Sequence, residues 1–141
     1  MAYNAAFFET HEAYFLELKE RDGEKSALDA MTRVMKRNLG KAYIDMGFKK
    51  GDPKEFARVV GERDASVGLD VRFPVVTENK IVYQFHTDPF PGLRGHVEPE
   101  KLDATYMQFK VDFLLGEGWS YRTTKHLWKD HDYTEHIIEK K

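Results

Sequence analysis

His86, Asp88, Arg94 and His96 fall within one short segment, His86-Thr-Asp-Pro-Phe-Pro-Gly-Leu-Arg-Gly-His96. A histidine beside a carboxylate is the pairing of a general base with the group that fixes its tautomer and supports its charged form. On an extended chain, positions two apart point the same way, so Asp88 follows His86 onto one side. His86 and Asp88 are therefore the candidate catalytic pair. Arginine forms bidentate pairs with carboxylates, which makes Arg94 and Arg122 the candidate anion clamps; the competing reading of each is a surface ion pair worth little. His126 and His136 lie on two further strands. Alternation groups His86 with Gln84, His126 with Arg122 and Thr124, and His136 with Thr134 and Ile138. If the registers align, His86, His126 and His136 meet on one sheet face, where they could contact a substrate or hold a hard or borderline divalent cation. The same pattern is also what the polar face of a one-sided sheet carries. No histidine belongs to a signature such as HExxH. His11 shares a helical stripe with Phe7, Phe8, Tyr14 and Phe15, and is expected to be mostly buried and hydrogen-bonded. His131 falls in a turn.

The elements that must position these residues can be read from periodicity. In "AFFETHEAYFLELKERDG" apolar residues recur at spacings of three and four, and Asp22-Gly23 ends the helix. "EKSALDAMTRVMKRNLGKAYIDMG" carries Leu28, Met31, Met35, Leu39, Ala42 and Met46 on one stripe. Ser26 with Asp29 suggests its cap, and Gly47 its stop. Gly40 inside it costs about 1 kcal/mol relative to alanine unless a neighbour packs closely there. A brief third helix is signalled by Asp52 as N-cap, Pro53 at the first helical position and Glu55 able to reach back. The period then changes to two. Strands are predicted near 68–76 and 80–88, joined by a turn at "TENK" and followed by the Pro/Gly-rich segment. A helix near 98–115 repeats Leu102, Tyr106, Phe109 and Phe113, a stripe expected to pack on the sheet. A terminal hairpin over 119–128 and 132–140 turns at Lys129-Asp130-His131-Asp132. This order gives an α+β fold: N-terminal helices packed with a four-stranded antiparallel sheet made of two hairpins flanking a helix. The 141 residues fit a single domain, 1–141.

Composition narrows the functions. The net charge is −2, with both signs mixed, so nucleic acid and anionic membranes are not expected partners. There is no cysteine, which removes disulfides, thiolate catalysis and thiolate-bound zinc. No apolar run approaches the roughly 20 residues of a bilayer span. Charges come too early for a signal peptide, so a cytoplasmic location is the default expectation.

From Val71 onward, the stretches "FHTDPFPG", "LDATYMQFKVDFLLGEGWSYRTTKHL" and "KDHDYTEHIIEK" follow a recognisable order. A strand ends in a short motif before a loop and helix, then come a glycine-aromatic step, a strand, a turn and a final strand. This order resembles the L-2-amino-thiazoline-4-carboxylic acid hydrolase-like proteins, and more distantly the vinyl-reductase-type ligand-binding domains. Relatives commonly carry Cys-Pro at the first motif and a cysteine on the last strand. Here Thr87 or Asp88 stands near the first, and Thr134 to His136 near the last. The resemblance covers roughly half the chain and implies a hydrolase-like domain acting on a small carboxylate-bearing cyclic amidine or amide. Its missing cysteines mean that any such chemistry would have to run on other groups.

Two functions therefore stand side by side. One is the hydrolase, with His86 and Asp88 as base and orienter, and with Arg94, Arg122, His126 and His136 around the substrate. The other is a non-catalytic small-ligand binding or sensing domain. An enzyme predicts convergent polar groups at the floor of a pocket, and a binding module an apolar floor with a polar rim. A weaker third reading, a structural subunit, predicts no pocket and a large exposed apolar patch. In either leading case the partner is a small molecule, and a homo-oligomer is compatible with the sequence. The pocket is expected between sheet and helices, with "HTDPFPGLRGH" at its mouth.

Overall fold

A computed structural model describes residues 2–141. Its order is α1 (Ala5–Asp22), α2 (Glu24–Met46), α3 (Pro53–Ser66), β1 (Val71–Val76), β2 (Lys80–Phe85), α4 (Pro99–Leu114), β3 (Trp119–Lys125) and β4 (Thr134–Lys140). Short 3-10 turns occupy Pro91–Leu93 and Leu127–Lys129. The strands form one antiparallel sheet in the order β1-β2-β4-β3, so the two hairpins join through β2 and β4. The α+β class and the two-hairpin sheet are those expected from the period change.

Local chemistry explains the boundaries. The Asn4 side chain accepts from the Phe7 N–H and starts α1; the Gly23 N–H closes it on the Lys19 carbonyl at 2.9 Å. Asp52 caps α3 by accepting from the Lys54 N–H at 2.9 Å, with Pro53 in the first turn. Glu55 reaches back to the Lys49 N–H rather than to the cap itself. This helix runs 14 residues, longer than its short apolar face suggested. The cap expected of Ser26 is not used: α2 begins directly after Gly23, and Asp29 pairs with Lys25. One glycine between two helices leaves no room for a separate capping loop.

The α3 helix packs on β1 and α4 on β3, while α2 lies against α1, α3 and α4. The core is one cluster between these helices and the inner sheet face. Gly40 is where α2 meets α4. A Cβ there would sit 3.3 Å from the Phe109 ring, so close packing accounts for its place in mid-helix. The α4 face is rotated relative to its predicted stripe. Leu102 and Tyr106 are buried, but Phe109 turns toward α2 and Phe113 packs against Phe48. Asp103, Thr105, Met107, Lys110, Val111 and Leu114 take the remaining interior positions. In α1 a similar rotation leaves Tyr14 69% exposed and buries Glu12 with Phe8 and Phe15.

Candidate functional site

Sheet register decides which polar residues can meet. Tyr83 of β2 lies opposite His136 of β4, and His136 lies opposite Thr123 of β3. These three share the inner face. Gln84 pairs with Glu135, so Gln84 and His86 lie on the outer face. The histidines therefore do not gather as one group of three. A bulge in β3 adds the decisive shift: Thr123 pairs with His136, yet Lys125 pairs with Glu135, which leaves Thr124 as the extra residue. Strict alternation puts His126 with Arg122 and Thr124. The bulge reverses it, and His126 turns inward.

His86 sits half-buried, its Nε2 3.0 Å from Gln84 Oε1 and its ring stacked on Tyr133. Asp88 does not join it. One Asp88 oxygen accepts from the Phe90 N–H at 2.9 Å and the other from Trp128 Nε1–H at 2.7 Å. Arg94 pairs with Asp130 at 3.0 Å, and Arg122 pairs with Glu139 at 3.4 Å across the outer face. Both are exposed ion pairs of the kind that contributes little.

His126 and His136 do converge, on Asp103 of α4. His126 Nε2 lies 3.0 Å from Asp103 Oδ2, and His136 Nε2 lies 4.0 Å from the same oxygen. The Trp128 N–H donates to His126 Nδ1 at 3.0 Å, which fixes the proton of the neutral ring on Nε2, facing the carboxylate. The other Asp103 oxygen accepts from the Tyr106 hydroxyl at 2.9 Å. His136 contacts Thr123 Oγ1 at 2.9 Å through Nδ1, while its Nε2 has no hydrogen-bond partner. Burial pushes the His136 ring down to a pKa of about 4, so it is neutral at pH 7.

A second buried polar group lies beside the first. Lys110 of α4 donates to the Tyr83 hydroxyl at 2.9 Å, and that hydroxyl donates to Asp64 of α3. Lys110 Nζ also lies 3.7 Å from the other Asp64 oxygen. Its ammonium sits within 5.0–5.4 Å of the ring centres of Tyr106, Tyr83 and Phe85. Burial lowers the Lys110 pKa, against the pull of Asp64, and Arg63 lowers it further. Burial likewise raises the Asp64 carboxyl, with Lys110 opposing. The Tyr43 hydroxyl and Arg63 Nε are buried without partners.

Lys110 and Asp64 of this group line a cavity of about 50 Å³ between helices and sheet. At roughly 10–15 Å³ per water, it has room for a cluster of about three to five waters or an organic molecule of similar bulk. Phe7, Phe8, Leu39, Val67, Phe85 and Phe90 supply apolar wall. His11, Asn38, Arg63, Asp64, Tyr106 and Lys110 supply the polar positions. His11 is half-buried rather than mostly buried, with Nδ1 2.8 Å from the Phe7 carbonyl. A narrower space of about 10 Å³, one water's worth, reaches Asp103, His126 and Trp128 and shares Phe85, Phe90 and Tyr106 with the larger one.

Pro89 and Phe90 place the "HTDPFPGLRGH" segment in the wall of both spaces. Its polar groups are spent on holding it there. The Tyr3 hydroxyl donates to the Pro89 carbonyl, and the Gly92 N–H donates to buried Glu12 at 2.6 Å. Asp88 ties the segment to Trp128. The strand-to-helix connector is thus both a stiff brace and a cavity wall.

Asp64, Asp103 and Lys110 were not singled out from the sequence. The available signal was their position: Asp103 and Lys110 flank Tyr106 on α4 at helical spacing, among interior residues rather than on a charged face. Among the described residues no group of three or more His, Asp or Glu is arranged to hold a metal ion, and no helix is long and apolar enough to cross a membrane. Comparison with family models, curated proteins and solved structures gives no match.

Proposed function

We propose that the chain binds a small carboxylate-bearing molecule in the cavity lined by Arg63 and Lys110. One observation carries the reading: a largely apolar cavity of a few waters' volume is also lined by buried charge that is incompletely paired. Lys110 is paired with Asp64, while the guanidinium of Arg63 bonds only Ser66 through Nη1 and leaves its buried Nε with no acceptor. A ligand carboxylate would supply that acceptor, and its hydrocarbon part would meet the phenylalanine wall. Buried titratable groups with displaced pKa values in a cleft are a recognised mark of a functional site.

Ligand binding is favoured over hydrolysis of a cyclic amidine or amide by the hydrogen-bond pattern. The expected dyad of His86 and Asp88 is divided between the outer face and the Trp128 brace. The histidine–carboxylate pair that does form, His126 with Asp103, has its second ring nitrogen occupied by the Trp128 N–H. Taking up a proton there would cost that hydrogen bond, which makes His126 a poor general base. Calorimetric titration with short monocarboxylates such as propionate tests the proposal. The wild-type chain should bind, and Arg63→Gln should weaken binding tenfold or more. No binding by any short acid, or equal affinity in both proteins, would overturn it.

A further inference from the structure

Lys110 has the surroundings of an amine that reacts as well as binds. Lys110 is one of the residues lining the cavity, and its side chain is buried rather than at the surface. A proton acceptor is already wired to it, since Lys110 donates to Tyr83 and Tyr83 donates to Asp64. The groups around it are Arg63 and Asp64 from α3, Tyr83 from β2, Asp103 and Tyr106 from α4, and His136 from β4, with Tyr43 of α2 beyond Tyr83 and Asp64. Asp64 and Asp103 favour its charged form, while burial and Arg63 oppose it, burial being the largest influence. Asp103 is itself engaged by Tyr106 and His126, which leaves Asp64 as the carboxylate in contact. Burial favours the neutral form of an amine held this way, and neutral amines attack carbonyl carbons.

We propose that Lys110 forms an imine with a small 2-oxo acid, whose carboxylate lies against Arg63 and whose carbonyl reaches Lys110. This deepens the carboxylate-binding reading and rests on it. In the first step the ammonium passes a proton through the Tyr83 hydroxyl to Asp64. The freed lone pair of Nζ then attacks the carbonyl carbon. A C–N bond forms, the C=O π bond breaks, and the oxygen takes one of the protons on the attacking nitrogen to give the carbinolamine. Loss of that oxygen as water, with the proton returned from Asp64, leaves the C=N bond. Ammonium and carbonyl give the protonated imine and one water, with Asp64 returned to its starting state and no change of oxidation state. The size of the cavity limits the partner to acids of a few heavy atoms, such as pyruvate or glyoxylate.

The test is reductive trapping of the full chain with pyruvate and cyanoborohydride at neutral pH, followed by peptide mapping. One adduct is expected on Lys110, with a mass gain equal to the acid less one oxygen, and excess propionate should suppress it. Exposed lysines such as Lys25 and Lys41 serve as internal controls in the same digest. Adducts spread over surface lysines without enrichment at Lys110 would overturn the imine. So would binding of propionate, seen by calorimetry, with no Lys110 adduct; that result would leave the binding proposal standing. Absence of both binding and adduct would overturn the two together.

Discussion

His136 gives a sharp prediction, because its ring is fully enclosed and faces Tyr83, Phe85 and Tyr121. Burial holds its folded pKa at about 4, below the ordinary value of 6.5. Between these values the unfolded chain binds the extra proton and the folded chain does not. Stability therefore rises with pH across this window, is complete above about pH 6.5, and is lost as pH falls toward 4. The difference of about 2.5 units corresponds to about 3 kcal/mol in total, of which about 2 kcal/mol disappears between pH 7 and pH 5. Urea unfolding of the wild-type chain and of His136→Gln at these two pH values reads it directly. His136→Gln should be less stable at pH 7, since it disturbs a packed site, but should lose about 2 kcal/mol less than wild type on going to pH 5. Equal pH slopes in the two proteins, or an NMR titration of the His136 ring near 6.5, would refute the reasoning.

Other consequences follow from the same geometry. Lys110→Met should cost about 3–5 kcal/mol in urea unfolding, because it strands Asp64 in the interior, and adding Asp64→Asn should restore part of that loss in a double-mutant cycle. Gly92→Ala would place a Cβ 2.8 Å from Glu12 Oε1 and displace the carboxylate that accepts from the Gly92 N–H, so a loss of about 1–3 kcal/mol is expected by thermal unfolding. Gly118→Ala, which meets nothing within 4 Å, should stay within about 0.5 kcal/mol and serves as its control. Asp88→Ala should alter Trp128 fluorescence and cost about 1–3 kcal/mol through its two lost hydrogen bonds, whereas His86→Ala, which loses a stacked and half-exposed ring, should cost less.

The architecture was legible because it depends on period and punctuation. The change from helical spacing to alternation after α3, the "TENK" turn, and glycines and prolines at element ends all act locally. The candidate site was less legible because it depends on register and rotation. The inward turn of His126 follows from one extra residue, Thr124, opposite Glu135, and alternation cannot reveal an extra residue. The roles of Lys110 and Asp103 go with a modest rotation of α4, in which Phe109 packs on Gly40 of α2. Charged residues near a helical stripe read as its rim until the partners on α3 and β2 are known. Arg94 and Arg122 show the converse: suitable side chains for an anion, but satisfied by Asp130 and Glu139 at the surface.

A carboxylate bound in the cavity would register most directly at Arg63 Nε. This N–H is buried and has no acceptor in the protein. Its resonance in nitrogen-15-labelled protein should move downfield and saturate as propionate is added, as expected when a donor gains a charged hydrogen-bond partner. An Arg63 Nε–H resonance that stays in place throughout the titration would rule out a carboxylate at this donor.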